Sequence, residues 1–399
     1  MNVLIGVTGG VAAYKVCEVV STLAKSGASV RVMMTARSQD FVSALTFAAL
    51  ARNAVYTDVE FWSAQQGRPL HIELGEWADV LAITPLTANT LGKLAHGLAD
   101  NLLTNTVLAS VCPVLLAPAM NTDMWQQQSV QRNWEGLRQD ARYHTVGPGA
   151  GRLACDRIGT GRMAEPVEIV AQIDSLLHTQ GQRDLTGKRL LISTGSTQEY
   201  IDPVRYIGNP ATGRMGIALA LAGLHRGASV TLVHGPMSAE LKATVPGDVR
   251  TIGVTTAAEM EQVLLAETAI ADWIIMAAAV ADVRPTTTAD FKLPKKDLPS
   301  SLPLSAVPDI VAKLSAGRTA GQKVIGFAAQ TGDVVAPALD KLKRKQLDVI
   351  LANPIDQPGS GFGSLDNEGV ILAADGRQVT VGRLSKLRLA HQLYDFLLR

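Results

Sequence analysis

The sequence predicts an α/β protein built from two doubly wound, mostly parallel sheets. Three observations carry that prediction. Short β-branched runs alternate with stretches of helical period, a glycine stands at the helix-to-strand turns, and 399 residues are too many for one ordinary hydrophobic core. A composition of 47% apolar and only 5% aromatic residues with 35 glycines fits a globular chain rich in tight turns and excludes disorder.

The first element is the run Asn2–Val7, which ends in Thr8-Gly9-Gly10. A helical pattern follows over 11–26, Gly27 stops it, and a second strand runs over 29–34, completing a βαβ unit. The same order returns from Arg189: LLISTGS, a long connection, a helical pattern over 213–226, Gly227 as the stop, and the strand SVTLVHG. The junctions SGASVRVMMT and RGASVTLVHG echo each other, through shared turn chemistry or through duplication; the architecture is the same either way. Further strands fit 80–84, 114–117, 273–278, 324–328 and 349–352, with helical stretches between them. The polar segment HTQGQRDLTGK separates the halves, giving domains 1–178 and 189–399 joined by a linker over 179–188.

With 37 basic and 36 acidic side chains, the chain has no global field for nucleic acid or an anionic membrane, so any phosphate recognition is local. Cys17, Cys112 and Cys155 form no zinc-ligand or CxxC spacing, which suits a reducing compartment. The N-terminus lacks a basic, apolar signal-peptide pattern, and apolar runs such as 273–280 are too short to span a bilayer. A soluble, cytoplasmic protein is expected.

Ligands of open α/β sheets sit beyond the carboxyl ends of the strands. Three N-terminal loops fall there. Thr8-Gly9-Gly10 lets backbone approach an anion at a helix start. TPLTANT, over 84–90, sets three hydroxyls and an amide before a helix, a neutral donor set suited to a phosphate monoester or simply a capped helix start. The third loop reads PAMNTDMW over 118–125. Together with TPLTANT and HIELG at 71–75, it resembles the flavin-dependent family of phosphopantothenoylcysteine decarboxylases and lantibiotic cysteine decarboxylases. G-x-G-x-x-G is absent, so Gly9-Gly10 reads as part of a flavin phosphate site and not as a dinucleotide fingerprint.

The resemblance implies a flavodoxin-like domain that holds FMN through Gly9, Gly10, Thr35, Thr84, Thr87, Asn89, Thr90 and Met120. A cysteine α-carboxylate has no electron sink; flavin oxidation of the CH2–SH unit to a thioaldehyde supplies one, and return of hydride makes the reaction redox-neutral. The resemblance assigns His71 as the active-site histidine and Asn121 as the residue holding the substrate carboxylate. The glycine-rich stretch GPGAGRLACDRIGTGRM forbids a regular helix and reads as a flap. Its Cys155 matches the proton donor of the coenzyme A branch, and a thiol is protonated at neutral pH. Asp156-Arg157 departs from the family's usual pair. Cys17 and Cys112 read as core residues, and no other histidine occupies a motif.

From Thr194 the chain runs TGSTQEYIDPVRYIGNPATGRMG, a 23-residue connection, and loops of that length are usually functional. It resembles the signature of phosphopantothenate-cysteine ligases. AAAVADVRP, FKLPKK, PDIV, GFAAQT and LDKLKRKQLD follow in the family's order. The two resemblances cover nearly the whole chain and imply the fused bacterial form, with a Rossmann-like ligase domain that forms an acyl-cytidylate from CTP. The implied substrates are 4'-phosphopantothenate, L-cysteine and CTP. Contacts to CTP are implied for Ala277, Ala278, Asp282, Lys292, Pro308, Asp309, Ile310, Val311, Phe327, Lys341 and Lys345, with Asn209 on the acyl intermediate. Lys341 and Lys345 share one helical face. Mg2+ is expected mainly on the CTP phosphates, its protein ligand being open. PATGR, GST and Gln330 depart from the family pattern, Gln330 replacing a carboxylate. Two other readings stand beside this one: a decarboxylase with an impaired ligase half, and a flavin-binding regulatory protein. The family also implies a homo-oligomer, with trimeric decarboxylase domains sharing the flavin at subunit interfaces and dimeric ligase domains.

Overall fold

Alternate side chains of a parallel strand reach opposite faces of the sheet, so a continuous apolar run means that both faces are covered. The strand β1 (Asn2–Val7) meets this condition: Val3, Ile5 and Val7 enter one core cluster while Leu4 enters the other. A computed structural model describes residues 1–399 except 65, 66, 155, 299, 358–360 and 362. It divides into two units, Met1–Gln182 and Arg183–Arg399.

In the first unit the sheet comprises β1, β2 (Ser29–Met34), β3 (Val55–Tyr56), β4 (Val80–Leu86), β5 (Val114–Pro118) and β6 (Tyr143–Thr145), in the order β3-β2-β1-β4-β5-β6. All pairs are parallel, with Ile5 set against Val32 on one side and Ala82 on the other. Apart from the two-residue edge strand β3, this is the flavodoxin order, and its switch point lies between β1 and β4. The helices are α1 (Ala13–Lys25), α2 (Ala44–Ala51), α3 (Asp58–Phe61), α4 (Leu70–Trp77), α5 (Ala88–Ala95), α6 (Leu102–Ala109), α7 (Thr122–Gln126), α8 (Gln128–Arg138) and α9 (Pro166–Thr179). Pro166 opens α9 where no backbone donor is needed, and Glu165 and Glu168 complete a capping box. The glycine-rich flap is an antiparallel hairpin of β7 (Gly149–Arg152) and β8 (Ile158–Arg162).

The second unit orders its main sheet β13-β12-β9-β14-β17-β18-β19-β20. Its strands are β9 (Arg189–Thr194), β10 (Gln198–Asp202), β11 (Arg205–Gly208), β12 (Ser229–His234), β13 (Arg250–Gly253), β14 (Trp273–Met276), β15 (Val283–Pro285), β16 (Leu304–Ala306), β17 (Lys323–Gln330), β18 (Val349–Pro354), β19 (Asp366–Ala373) and β20 (Gln378–Ser385). The helices are α10 (Arg214–His225), α11 (Ala239–Lys242), α12 (Ala257–Glu267), α13 (Ile310–Ala316), α14 (Val335–Arg344) and α15 (Lys386–Leu398). Its strands β13, β12, β9, β14, β17 and β18 are parallel, and the switch point falls between β9 and β14. β19 and β20 turn antiparallel at the far edge. The long connection after Thr194 is not structureless: β10 and β11 pair antiparallel within it.

Buried Arg226 ties the start of this unit to its last helix. Its guanidinium donates to both Asp184 oxygens at 2.7 and 2.6 Å, to Asp395 at 2.7 Å and to the His391 carbonyl at 3.2 Å. Leu185, inside the expected linker, lies fully buried in this core. Arg226→Ala strands two carboxylates and is expected to destabilise the second unit by about 3 kcal/mol in denaturant titration, the two aspartates being partly hydrated. An unchanged midpoint would show the cluster to be incidental.

Candidate functional sites

At the first switch point, the loop after β1 is laced to the end of β4 and to the residue that follows it. Thr8 Oγ1 donates to the Pro85 carbonyl at 2.5 Å and accepts from Thr87 N at 3.1 Å. A Cβ on Gly9 would lie 2.5 Å from Arg37 Cβ, so only glycine permits this approach. Ala12 precedes α1 without a side-chain cap, and the backbone closes the turn instead, Ala13 N donating to the Gly10 carbonyl at 2.9 Å and Lys15 N to the Ala12 carbonyl at 3.0 Å. Thr87 caps α5, accepting from Thr90 N at 3.5 Å.

These loops border a cavity of about 1140 Å³ lined by Gly9, Gly10, Thr35, Thr87, Asn89, Thr90, Met120 and Asn121. Thr35 Oγ1 is buried and has no hydrogen-bond partner among the described residues. An orphaned hydroxyl and a glycine that admits no Cβ, both at a helix start, fit a phosphorylated cofactor. Asn121 caps α7, its Oδ1 accepting from Asp123 N at 2.8 Å. Over it lies β8: Met120 N donates to the Gly161 carbonyl at 2.9 Å. Sequence reasoning missed the charged rim, where Lys15 pairs with Glu165 at 3.0 Å and Arg162 with the same carboxylate at 2.7 Å.

Of the expected residues, Thr84 and His71 are not among those lining this cavity. Thr84 does not line the cavity: β4 continues through Leu86, and the fully buried Thr84 gives its hydroxyl to Met163 Sδ at 3.3 Å. His71 is not brought to this cavity either. It is the second residue of α4, its ring edge-on to Phe61 at 5.6 Å, and its Nδ1 is buried without a partner among the described residues. Cys155 lies outside the described residues. Burial raises the thiols of Cys17 and Cys112, as suits core positions.

The second unit has its own cavity at its own switch point, about 440 Å³, walled by Thr194 and Gly195 at the end of β9 and by 276–282 at the end of β14. Ala277, Ala278, Asp282, Pro308, Asp309, Ile310, Val311, Phe327, Lys341, Lys345 and Asn209 all line it. Asn209 is fixed from both ends, its N–H donating to Ser196 Oγ at 3.0 Å and its Nδ2 to the carbonyls of Ala279 and Val280 at 3.3 and 3.1 Å. Lys341 donates to the Phe327 carbonyl at 2.8 Å, while Lys345 pairs with Asp309 at 2.9 Å. Burial, and then the neighbouring charge of Lys345, pulls the Lys341 ammonium down to about 8. For Asp309 burial opposes ionisation, but the Lys345 bond, the Ala312 N–H and the Lys345 and Arg344 charges outweigh it and hold the carboxyl below its usual value.

Lys292 is the exception. It is exposed on the segment after β15 and does not line this cavity; that segment is bonded to the β10–β11 hairpin, Leu293 N donating to Asp202 Oδ2 at 3.2 Å. Missed in the sequence were Arg214, at the first turn of α10, and Lys386, which is nearly buried and reaches the cavity only because β19 and β20 fold back along the sheet.

The family model described as Flavoprotein matches residues 1–178, and that described as DNA/pantothenate metabolism flavoprotein C-terminal domain matches 185–399. Among curated relatives, the coenzyme A biosynthesis bifunctional protein CoaBC of Bacillus subtilis (strain 168) is 41% identical over 392 residues, covering 98% of this chain and 95% of its own. Its counterpart in Vibrio cholerae serotype O1 (strain ATCC 39315 / El Tor Inaba N16961) is 40% identical over 94% of this chain and 92% of its own. A cysteine/cysteine sulfinic acid decarboxylase from an unknown prokaryotic organism is 42% identical over 83% of this chain and 91% of its own. With both modules matched in order and that identity sustained from end to end, the chain belongs to the family of bifunctional coenzyme A biosynthesis enzymes, its first module a flavoprotein.

Proposed function

We propose that the second unit joins L-cysteine to 4'-phosphopantothenate at the expense of CTP, and that the first decarboxylates the product to 4'-phosphopantetheine on FMN. The observation that carries the reading is the convergence of Asn209, Asp282, Asp309, Phe327, Lys341 and Lys345 on one cavity at a sheet switch point. A triphosphate and a carboxylate repel each other, and the half-buried ammonium groups of Lys341 and Lys345 offset that charge where α-phosphorus is attacked to give the acyl-cytidylate. Asn209, held by two carbonyls and a hydroxyl, orients the acyl group for the cysteine amine. Lys292 joins them from its exposed segment. Among the described residues no group of three or more His, Cys, Asp or Glu side chains converges as a metal site; in this reading Mg2+ enters on the triphosphate.

In the first unit, FMN supplies the two-electron oxidation and its reversal. Gly9, Gly10, Thr35, Thr87, Asn89, Thr90 and Met120 hold it, and Asn121 holds the substrate carboxylate. Cys155 returns the proton. His71 acts from a neighbouring copy, in keeping with flavin sites shared at trimer interfaces, while the ligase units pair as dimers. Among the described residues no helix is long and apolar enough to cross a membrane, and a cytoplasmic enzyme is the corresponding expectation.

The relative named for cysteine and cysteine sulfinic acid favours a second reading, decarboxylation of the free amino acid. Full-length protein is incubated with 4'-phosphopantothenate, L-cysteine, MgCTP and FMN while CMP, pyrophosphate and carbon dioxide are followed. Coupled release of all three, dependent on 4'-phosphopantothenate, is the expected result. Carbon dioxide from cysteine alone, without CMP, would replace the proposal by the second reading and make Gln330 the first suspect in the ligase half.

A further inference from the structure

The β10–β11 hairpin connects the ligase cavity to the segment bearing Lys292. Its C-terminal end passes directly into Asn209 on the cavity wall. At its tip Asp202 is wholly buried, and a buried carboxylate needs a full set of donors. Asp202 Oδ1 accepts from Val204 N and Arg205 N, both at 2.8 Å. Its Oδ2 accepts from Arg205 Nη1 at 2.5 Å and from Leu293 N at 3.2 Å. The same Arg205 nitrogen also donates to the Leu293 carbonyl at 3.3 Å. One ion pair therefore grips both backbone groups of the residue next to Lys292. Two further bonds lay the preceding turn along β10: Ala289 N to the Ile201 carbonyl and Thr288 Oγ1 to the Tyr200 carbonyl, both at 3.0 Å.

We infer that the Asp202–Arg205 pair is a positioning clasp for Lys292. It fixes the backbone beside an exposed lysine, so that the ammonium is presented to the anions of the ligation reaction without an ordering step on each turnover. The hairpin thus links two functional groups, Asn209, which follows its last residue, and Lys292, whose neighbour Leu293 is bonded to its tip. This inference rests on Lys292 serving the ligase reaction.

A double-mutant cycle on the full-length protein separates the clasp from the role of Lys292 itself. Asp202→Asn keeps an oxygen for the turn but loses the charge that holds Arg205. It should lower kcat/KM for CTP about tenfold, and trypsin should cut faster after Lys292, Lys295 or Lys296. In a Lys292→Ala background the same substitution should change ligation by less than about twofold. If the two losses multiply, or Asp202→Asn ligates normally, the clasp is refuted while Lys292 keeps its role. If Lys292→Ala alone ligates at the wild-type rate, the role of Lys292 falls and the clasp falls with it. Should Asp202→Asn lower the thermal midpoint of the second unit, Arg205→Lys, which keeps the charge and loses the fork, takes its place in the cycle, and the same rate comparisons decide.

Discussion

Gly161→Ala should abolish most decarboxylation and leave ligation intact. Gly161 sits at φ +140°, where a side chain is strained, and a Cβ there would fall well inside contact with the Met120 carbonyl oxygen. Two residues earlier on the same face, a Cβ on Gly159 would lie 2.6 Å from Thr122 Oγ1. The two glycines let β8 lie flat on the loop 120–122, so one methyl must lift the strand and shift Met120 and Asn121 together. A displacement of about 1 Å at reacting groups lowers rate about 100-fold. Carbon dioxide from supplied phosphopantothenoylcysteine and CMP from the ligase reaction are read on one sample. Gly136→Ala, on an open helix face with nothing within 4 Å, is the neutral control. Wild-type decarboxylation by Gly161→Ala would mean that β8 does not shape the site.

The parallel strands were legible because covering both faces of a sheet forces apolar runs such as Asn2–Val7 and Trp273–Met276, which no loop would carry. The edge hairpin of β19 and β20 also has a signal, Asp375-Gly376 in the four residues between the strands, though so short a turn is easily lost beside the stronger parallel pattern. β10 and β11 have a weaker one. Pro203 and the polar Gln198, Glu199 and Asp202 break alternation, and the hairpin is held by the Asp202 cluster instead of by an apolar face. Loop motifs brought most of both cavities to view, since strand ends converge at a switch point whatever the intervening sequence. Thr84 escaped that logic because the strand runs two residues farther than its motif suggests. Lys386 escaped it because a helix start 104 residues beyond Asp282 reaches the same cavity only through an antiparallel return.

Ligation should have a basic limb set by Lys341. Its free-enzyme pKa of about 8 lies below the ordinary 10.5 because burial and Lys345 disfavour the charged form. Only the ammonium attracts a triphosphate, so kcat/KM for CTP should fall about tenfold per pH unit as pH rises through about 8 and Lys341 loses its proton. Bound triphosphate favours the charged form, so kcat at saturating CTP should lose activity only at higher pH. Lys341→Arg stays charged throughout this range and should remove the limb, at a lower plateau, because the guanidinium fork does not fit the single Phe327 carbonyl. Lys341→Ala should lower ligation roughly 100-fold at neutral pH, the scale of removing one aimed charge from a half-buried anion site. Decarboxylation, measured over the same pH range, provides the contrast. A limb that persists in Lys341→Arg would assign the titration to another group, and an Ala variant of near-normal rate would remove Lys341 from the nucleotide site.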